Sequence, residues 1–319
     1  MDSLKRGLLI FGIALGYGLT MWGLFVLVKH DEVFAVVSWT FVFLVPIVIG
    51  GLTTFFGIRL FERSTFWIHF APMIAMASGA LIAVLFELEA ILCAVVAIPI
   101  MTPFAWLGGF LVGQLLKKSD GKLQMSFLVL LPLATGPLES LWEQPHREIE
   151  IHNQIAIDSP AATIWKEIAS VRPIQREEIP FQWIYLLDFP RPIAAELDRH
   201  EVGGKRIATF ERDVSFFEIV TEWEEEKRLS FSIEADPDFI PKTAFDQHII
   251  IGGRFYDVLD GNYWIEATEP GKCMLHLSSS HRLSTPFNAY AGWWSEWVMN
   301  QIQGSILHVI RNRCEAANQ

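Results

Sequence analysis

Over the first 142 residues the hydrophobic positions run together in five long blocks; beyond them they alternate or recur at helical spacing. The blocks are Gly7–Val28, Val33–Ile58, Phe66–Phe86, Ala90–Leu116 and Leu123–Leu141. Each reaches the roughly 20 residues with which an α-helix crosses a hydrocarbon core about 30 Å thick. Charges fall almost entirely between the blocks, where they escape the cost of entering lipid; Glu139, near the end of the fifth, is the exception. The pattern predicts an all-α membrane bundle of about five transmembrane helices over residues 1–145, then a globular domain over 146–319. Pro132 and Pro137 interrupt the fifth block. The first lacks a small-residue cleavage site and reads as a retained anchor. Gly12/Gly16 and Gly109/Gly113 have the GxxxG spacing that lets helices pack closely.

In the globular part, residues 147–158 alternate as a strand, with Ile149, Ile151, Ile155 and Ile157 on one face and Glu150, His152 and Gln154 on the other. Asn153 falls on the apolar face. Asp158 or Ser159 caps a short helix whose first turn holds Pro160. The stretch Gln175–Asp188, helical or irregular, carries Phe181, Trp183 and Tyr185 and is closed by Pro190 and Pro192. Strands follow at Lys205–Arg212, Ser215–Trp223, Arg228–Ala235, Gln247–Ile251, Arg254–Val258, Asn262–Thr268 and Lys272–Leu283. Asp260-Gly261 and Pro270-Gly271 mark turns, so the spacing predicts one antiparallel meander. Pro286 opens a long last helix with the stripe Phe287, Tyr290, Trp294, Val298, Ile302, Ile306 and Ile310. A curved antiparallel sheet around that helix, an α+β helix grip, would enclose a cavity suited to a small ligand.

This order, and the segments 155–165 (IAIDSPAATIW), 203–206 (GGKR), 217–223 (FEIVTEW), 229–231 (LSF), 261–264 (GNYW) and 277–283 (LSSSHRL), resemble the START/birch-allergen-like (SRPBCC, polyketide cyclase/dehydrase and lipid-transport) superfamily. The resemblance covers about residues 148–315. It implies a helix-grip fold with an internal pocket for an apolar or amphipathic molecule, and it implies no particular reaction.

Charge adds orientation. The connections holding Lys5, Arg6, Arg59, Arg63, Lys117, Lys118 and Lys122 collect seven basic residues, and the alternate ones only Lys29 and Arg147. The positive-inside rule puts the N-terminus in the cytoplasm of a bacterial-type inner or plasma membrane and, after five crossings, the globular domain outside it. Should the fifth block only lie in the interface, the domain is cytoplasmic. Residues 146–319 hold 17 Lys+Arg against 27 Asp+Glu, which argues against nucleic acid as a partner. The partners expected are the lipid bilayer, a hydrophobic small molecule and a membrane-protein partner.

Pocket candidates are Asn153, Trp183, Tyr185, Phe231, Trp264, Tyr290 and Trp294, with His248 near the mouth. Asn153 on an apolar face needs a partner, either a ligand or the first helix of the domain. Glu218 and Glu222 share a strand face and are read as its outer, solvated side. No nucleophile elbow, phosphate loop, dinucleotide fingerprint or metal spacing is present, so no catalytic residue, metal or cofactor is assigned. Eleven strand residues span roughly 36 Å and 27 helical residues roughly 40 Å. A helix folding back over its strand therefore returns Cys314 near Cys273, where a disulfide is possible, with free thiols the default. A membrane-tethered carrier of a hydrophobic molecule is the leading reading. A polyketide cyclase/dehydrase-like enzyme and a non-catalytic membrane assembly subunit are the alternatives.

Overall fold

The computed structural model describes residues 2–27, 37–61, 64–118, 120–139, 141–142, 144–235 and 251–317. Two compact units emerge, Met1–Gln144 and Pro145–Gln319.

The first unit is helical: α1 (Ser3–Leu27), α2 (Val45–Leu60), α3 (Ala71–Leu85), α4 (Ile91–Leu115) and α5 (Lys122–Glu139). Wider π turns at Thr40–Leu44 and Phe66–Phe70 lead directly into α2 and α3. Each precedes a proline, Pro46 or Pro72, whose ring and missing N–H displace the carbonyl four residues back. Among the described residues, four stretches are long and apolar enough to cross a membrane: Ser3–Phe25, Thr40–Leu60, Phe66–Leu85 and Ile91–Leu115. The fifth helix falls outside that set, because its 18 residues include Lys122 and Glu139 as well as two prolines.

Glycine sets the closest helix approach. A Cβ on Gly50 would collide with the Ala105 carbonyl, and one on Gly108 with that of Ile47, so α2 and α4 touch backbone to backbone. Of the two GxxxG spacings, Gly109 and Gly113 pack against Pro72 and Ile68. Nothing among the described residues lies within 4 Å of a Cβ at Gly12 or Gly16.

The second unit is α+β. Strand β1 (Arg147–Ile157) leads to helix α6 (Ala161–Ala169) and to single 3-10 turns at Arg176–Glu178 and Trp183–Leu187. Then come β2 (Pro192–Leu197), β3 (Lys205–Phe210), β4 (Val214–Glu224), β5 (Arg228–Glu234), β6 (Tyr256–Glu269), β7 (Lys272–Leu283) and helix α7 (Asn288–Ala316). They form one seven-stranded antiparallel sheet in the order β1-β7-β6-β5-β4-β3-β2. The chain thus crosses to the far edge and meanders back until β7 meets β1, from Arg147↔Leu283 to Ile157↔Cys273. Bulges at Val220/Glu222, Val258/Asp260 and Ala267/Glu269 locally bend the strands.

Two strand expectations are corrected. Asp260-Gly261 is not a turn but the middle of β6, which runs unbroken through Tyr256–Glu269. The Phe231 ring lies where a Gly261 side chain would be, and Asp260 Oδ1 accepts from the Ser280 N–H (3.2 Å) at the bulge. Residues Pro192–Leu197, ahead of the expected strand series that begins at Lys205, form edge strand β2, where a proline at the first position costs no ladder bond. The expected strand Gln247–Ile251 lies outside the described residues except for Ile251.

Candidate functional site

One face of the sheet is covered by α7, and the strand pleat decides what it presents. From β1 come Ile149, Ile151, Asn153, Ile155 and Ile157. The register sets Leu283, His281, Ser279, Leu277, Leu275 and Cys273 of β7 on the same face. Tyr263 and Gly261 of β6, Leu229 and Phe231 of β5, Val220 and Glu218 of β4, and Arg206 of β3 continue the rows. An apolar cluster of Leu229, Phe231, Tyr263, Leu275 and Leu277 closes against Leu307, Ile310 and Cys314 of α7 and Trp165 and Ile168 of α6.

Polar groups are embedded in that layer. Arg206 and Glu218, 3% and 5% exposed, form a short ion pair through Nη1 and Oε2. The Arg206 guanidinium also stands 5.1 Å from the centre of the Phe231 ring, and its Nη2 donates to the Ile168 carbonyl at 3.5 Å. The buried Tyr263 hydroxyl lies beside both ionic groups. Burial pushes that hydroxyl up to about 12, against the pull of Arg206. It also raises the Glu218 carboxyl, which Arg206 pulls back down. No acceptor among the described residues reaches Arg206 Nε.

A second polar group lies near the start of α7. His281 is fully buried; its Nε2 meets Ser295 Oγ at 2.9 Å, and Nδ1 has no partner among the described residues. Burial lowers its pKa to about 4, so the ring is neutral near pH 7. Tyr256 is adjacent, its ring 5.4 Å from that of His281 and its hydroxyl 3.5 Å from Met299 Sδ.

The expected pocket residues separate. Asn153 bonds α7 rather than α6: its Nδ2 donates to Asn300 Oδ1 and Gln303 Oε1, both at 2.8 Å. Gln303 Nε2 in turn donates to Ser279 Oγ (2.8 Å) and to the Ile151 carbonyl (3.3 Å). Phe231 lies in the covered layer, and Tyr185 reaches α7 by donating to Ser305 Oγ at 2.8 Å. Tyr290 and Trp294 are half-buried on α7, with ring centres 6.5 Å apart. Trp183 is 62% exposed. Trp264 lies on the opposite face of the sheet, stacked with His276 (4.6 Å) and His152 (4.9 Å), whose own rings are 5.3 Å apart. His248 lies outside the described residues. Cys273 and Cys314 are free, buried thiols within the same apolar cluster.

Reading Glu218 and Glu222 as one solvated face is corrected. The bulge between Val220 and Glu222 reverses the alternation. Glu218 therefore points under α7, while Glu222 turns outward to Ser230 Oγ (3.0 Å) and Arg228 (3.7 Å). Arg206, also unassigned from sequence, is its partner. The available signal was the alternation of 205–210, which places Arg206 in line with Ala208.

No family model matches the chain, and no curated protein matches it. Solved structures do. Norcoclaurine synthase of Thalictrum flavum, as a point mutant with a transition-state analogue, is 11% identical, with 55% of this chain and 99% of that chain covered and a TM-score of 0.35. A protein of Nitrosospira multiformis is 15% identical over 54% of this chain and 100% of its own (TM-score 0.33). Ara h 8.0201 is 12% identical over 52% and 98% (TM-score 0.32).

Proposed function

We propose that this chain is a membrane-anchored binding protein whose helix-grip domain holds a hydrophobic small molecule against the covered face of its sheet. The observation that carries the reading is the buried Arg206 Nε–H, which has no acceptor among the described residues, in the layer beneath α7. A buried donor left unsatisfied costs about 1–3 kcal/mol, and a ligand with a hydrogen-bond-accepting head removes that cost. An apolar body with an acceptor oxygen fits such a lining. Native mass spectrometry and solvent extraction of the full chain from lipid nanodiscs test this. A co-purifying apolar molecule, depleted in an Arg206→Met variant that retains its fold, is the expected result. An empty domain in both proteins, indifferent to added fatty acids and sterols, rejects it.

The domain is assigned to the extracytoplasmic side. Supporting this, α5 runs the full length of the second apolar stretch, antiparallel to it. Arg59 at one end of that stretch donates to the Asp120 carbonyl just before α5. At its other end the Trp39 and Thr40 N–H groups donate to Glu139 at 2.5 and 2.9 Å. Eighteen helical residues rise about 27 Å, close to the hydrocarbon thickness. Reporter fusions after residue 317 give the side: activity of a periplasm-dependent phosphatase is expected, and activity of a cytoplasm-dependent reporter alone rejects five crossings.

A further inference from the structure

One flank of α7 carries an aromatic band that the ligand reading does not use. Trp293, Trp294 and Trp297 touch in sequence, with ring centres 4.8 and 5.8 Å apart. One turn beyond Trp297, Gln301 Oε1 accepts from the Trp183 N–H at 3.2 Å. The band therefore continues onto Trp183 and Phe181, whose rings lie 5.3 Å apart, edge to face. Phe181, Trp183, Leu186 and Trp293 are each about three-fifths or more exposed, at 66, 62, 60 and 59%. Large apolar side chains grouped on a surface in this way mark an interaction site.

We propose that this band seats the helix-grip domain on the lipid–water interface of the membrane that holds the N-terminal helices. The inference rests on the membrane reading above. Three observations select the bilayer. The band is rich in tryptophan, whose flat apolar ring and single N–H suit the head-group region. It begins where the chain enters the domain, because Asn288 in the first turn of α7 donates to the Pro145 carbonyl at 2.6 Å. Five residues separate Pro145 from Glu139, six Cα steps and a tether of at most roughly 21 Å, while the band runs only about 20 Å from Asn288 to Gln301. The third is charge: with 17 basic against 27 acidic residues in 146–319, attraction to anionic head groups cannot supply the contact, and apolar insertion can. The seat is accordingly salt-insensitive and forms on zwitterionic lipid.

The test uses the full chain in phosphatidylcholine nanodiscs, with an environment-sensitive dye on Trp183→Cys or Trp293→Cys. A dye on Glu225→Cys, in the β4–β5 turn, is the control, and dye on the native Cys93 of α4 reports whether the helices are in lipid. Brominated acyl chains should quench the dyes at 183 and 293 at least about twofold more than the dye at 225, unchanged from low to high salt. Quenching at Cys93 with 183 and 293 no different from 225 overturns the docking proposal alone. No quenching at Cys93 overturns the membrane reading and the docking with it. A salt-dependent difference also overturns it, since the contact would then be electrostatic.

Discussion

On the face that α7 covers, Arg206, Glu218 and Tyr263 are buried together; on the other face, His152, Trp264 and His276 lie stacked with Glu266 in reach of His276. Both faces bury polar atoms. The difference is access to water. Glu266 is mostly exposed, 3.4 Å from His276, so a change there can be compensated by solvent. Beneath α7 each charge depends on one named partner, because a lone ion in that layer is costly. Substitutions on the covered face should therefore be severe and those on the open face mild.

The largest contrast lies within a single strand. Glu218→Gln leaves Arg206 charged and buried, and should lower the unfolding free energy of the domain by about 3–5 kcal/mol. Glu222→Gln, losing partly exposed contacts to Arg228 and Ser230, should cost less than about 1 kcal/mol. Hydrogen exchange of the β3 and β4 amides in the full chain reads both. Equal protection losses would mean that Glu218 is solvated and the covered face is not dry.

Acid should act next, through His281. Its pKa in the folded domain is about 4, below the ordinary value near 6.5, so the folded state binds fewer protons than the unfolded one between those values. The stability it supports is complete above about pH 6.5 and is lost as pH falls toward 4, by at most roughly 3 kcal/mol. A His281→Gln variant should show a flatter stability profile across that window. An unchanged slope assigns the acid sensitivity to other groups.

Long apolar blocks, the meander and the terminal helix were legible because each rests on periodicity repeated over many residues. What escaped depends on one residue against another. Gly261 after Asp260 looks like a turn, and only the Phe231 ring above it explains a glycine inside a strand. Glu218 and Glu222 obey the alternation rule until a one-residue bulge separates them. The stripe read along α7 drifts from the face that packs: Gly292, Met299, Gln303, Leu307 and Ile310 are among the buried positions. Small or polar residues occupy that face because it meets His281, Ser279 and Asn153 across the layer, and their hydrogen bonds need short or polar partners. Asn153 was legible as a buried amide in need of a partner, but its partner, 147 to 150 positions along the chain, was not.

Two covered-face changes of middling size sharpen the contrast. Gly261→Ala forces a methyl group into the Phe231 ring and should cost about 1–3 kcal/mol by overpacking. Asn153→Ala leaves the buried Gln303 carbonyl without its donor, again at about 1–3 kcal/mol. Faster exchange of amides along β1 and the middle of α7 should accompany the second change. If Asn153→Ala leaves that exchange unaltered, the amide is no latch between helix and sheet.

The smallest effect belongs to the open face. His152→Ala removes one ring from the stack on Trp264 and the 3.1 Å contact between His152 Nε2 and His276 Nδ1. Stacking of this kind contributes about 0.5–1.5 kcal/mol, so the loss of stability should stay within that range. A second readout is independent of stability. Burial holds the His276 pKa below its ordinary value, Glu266 pulls it up, and His152 adds to the depression. Without His152 the nitrogen at Nδ1 gains access to water and loses the neighbour that deepens the depression, so His276 should titrate at a higher pH in an NMR experiment. A downward shift would mean that His152 had been supporting protonated His276 by accepting its hydrogen bond, and the open face would then be an ordered pair like the one beneath α7.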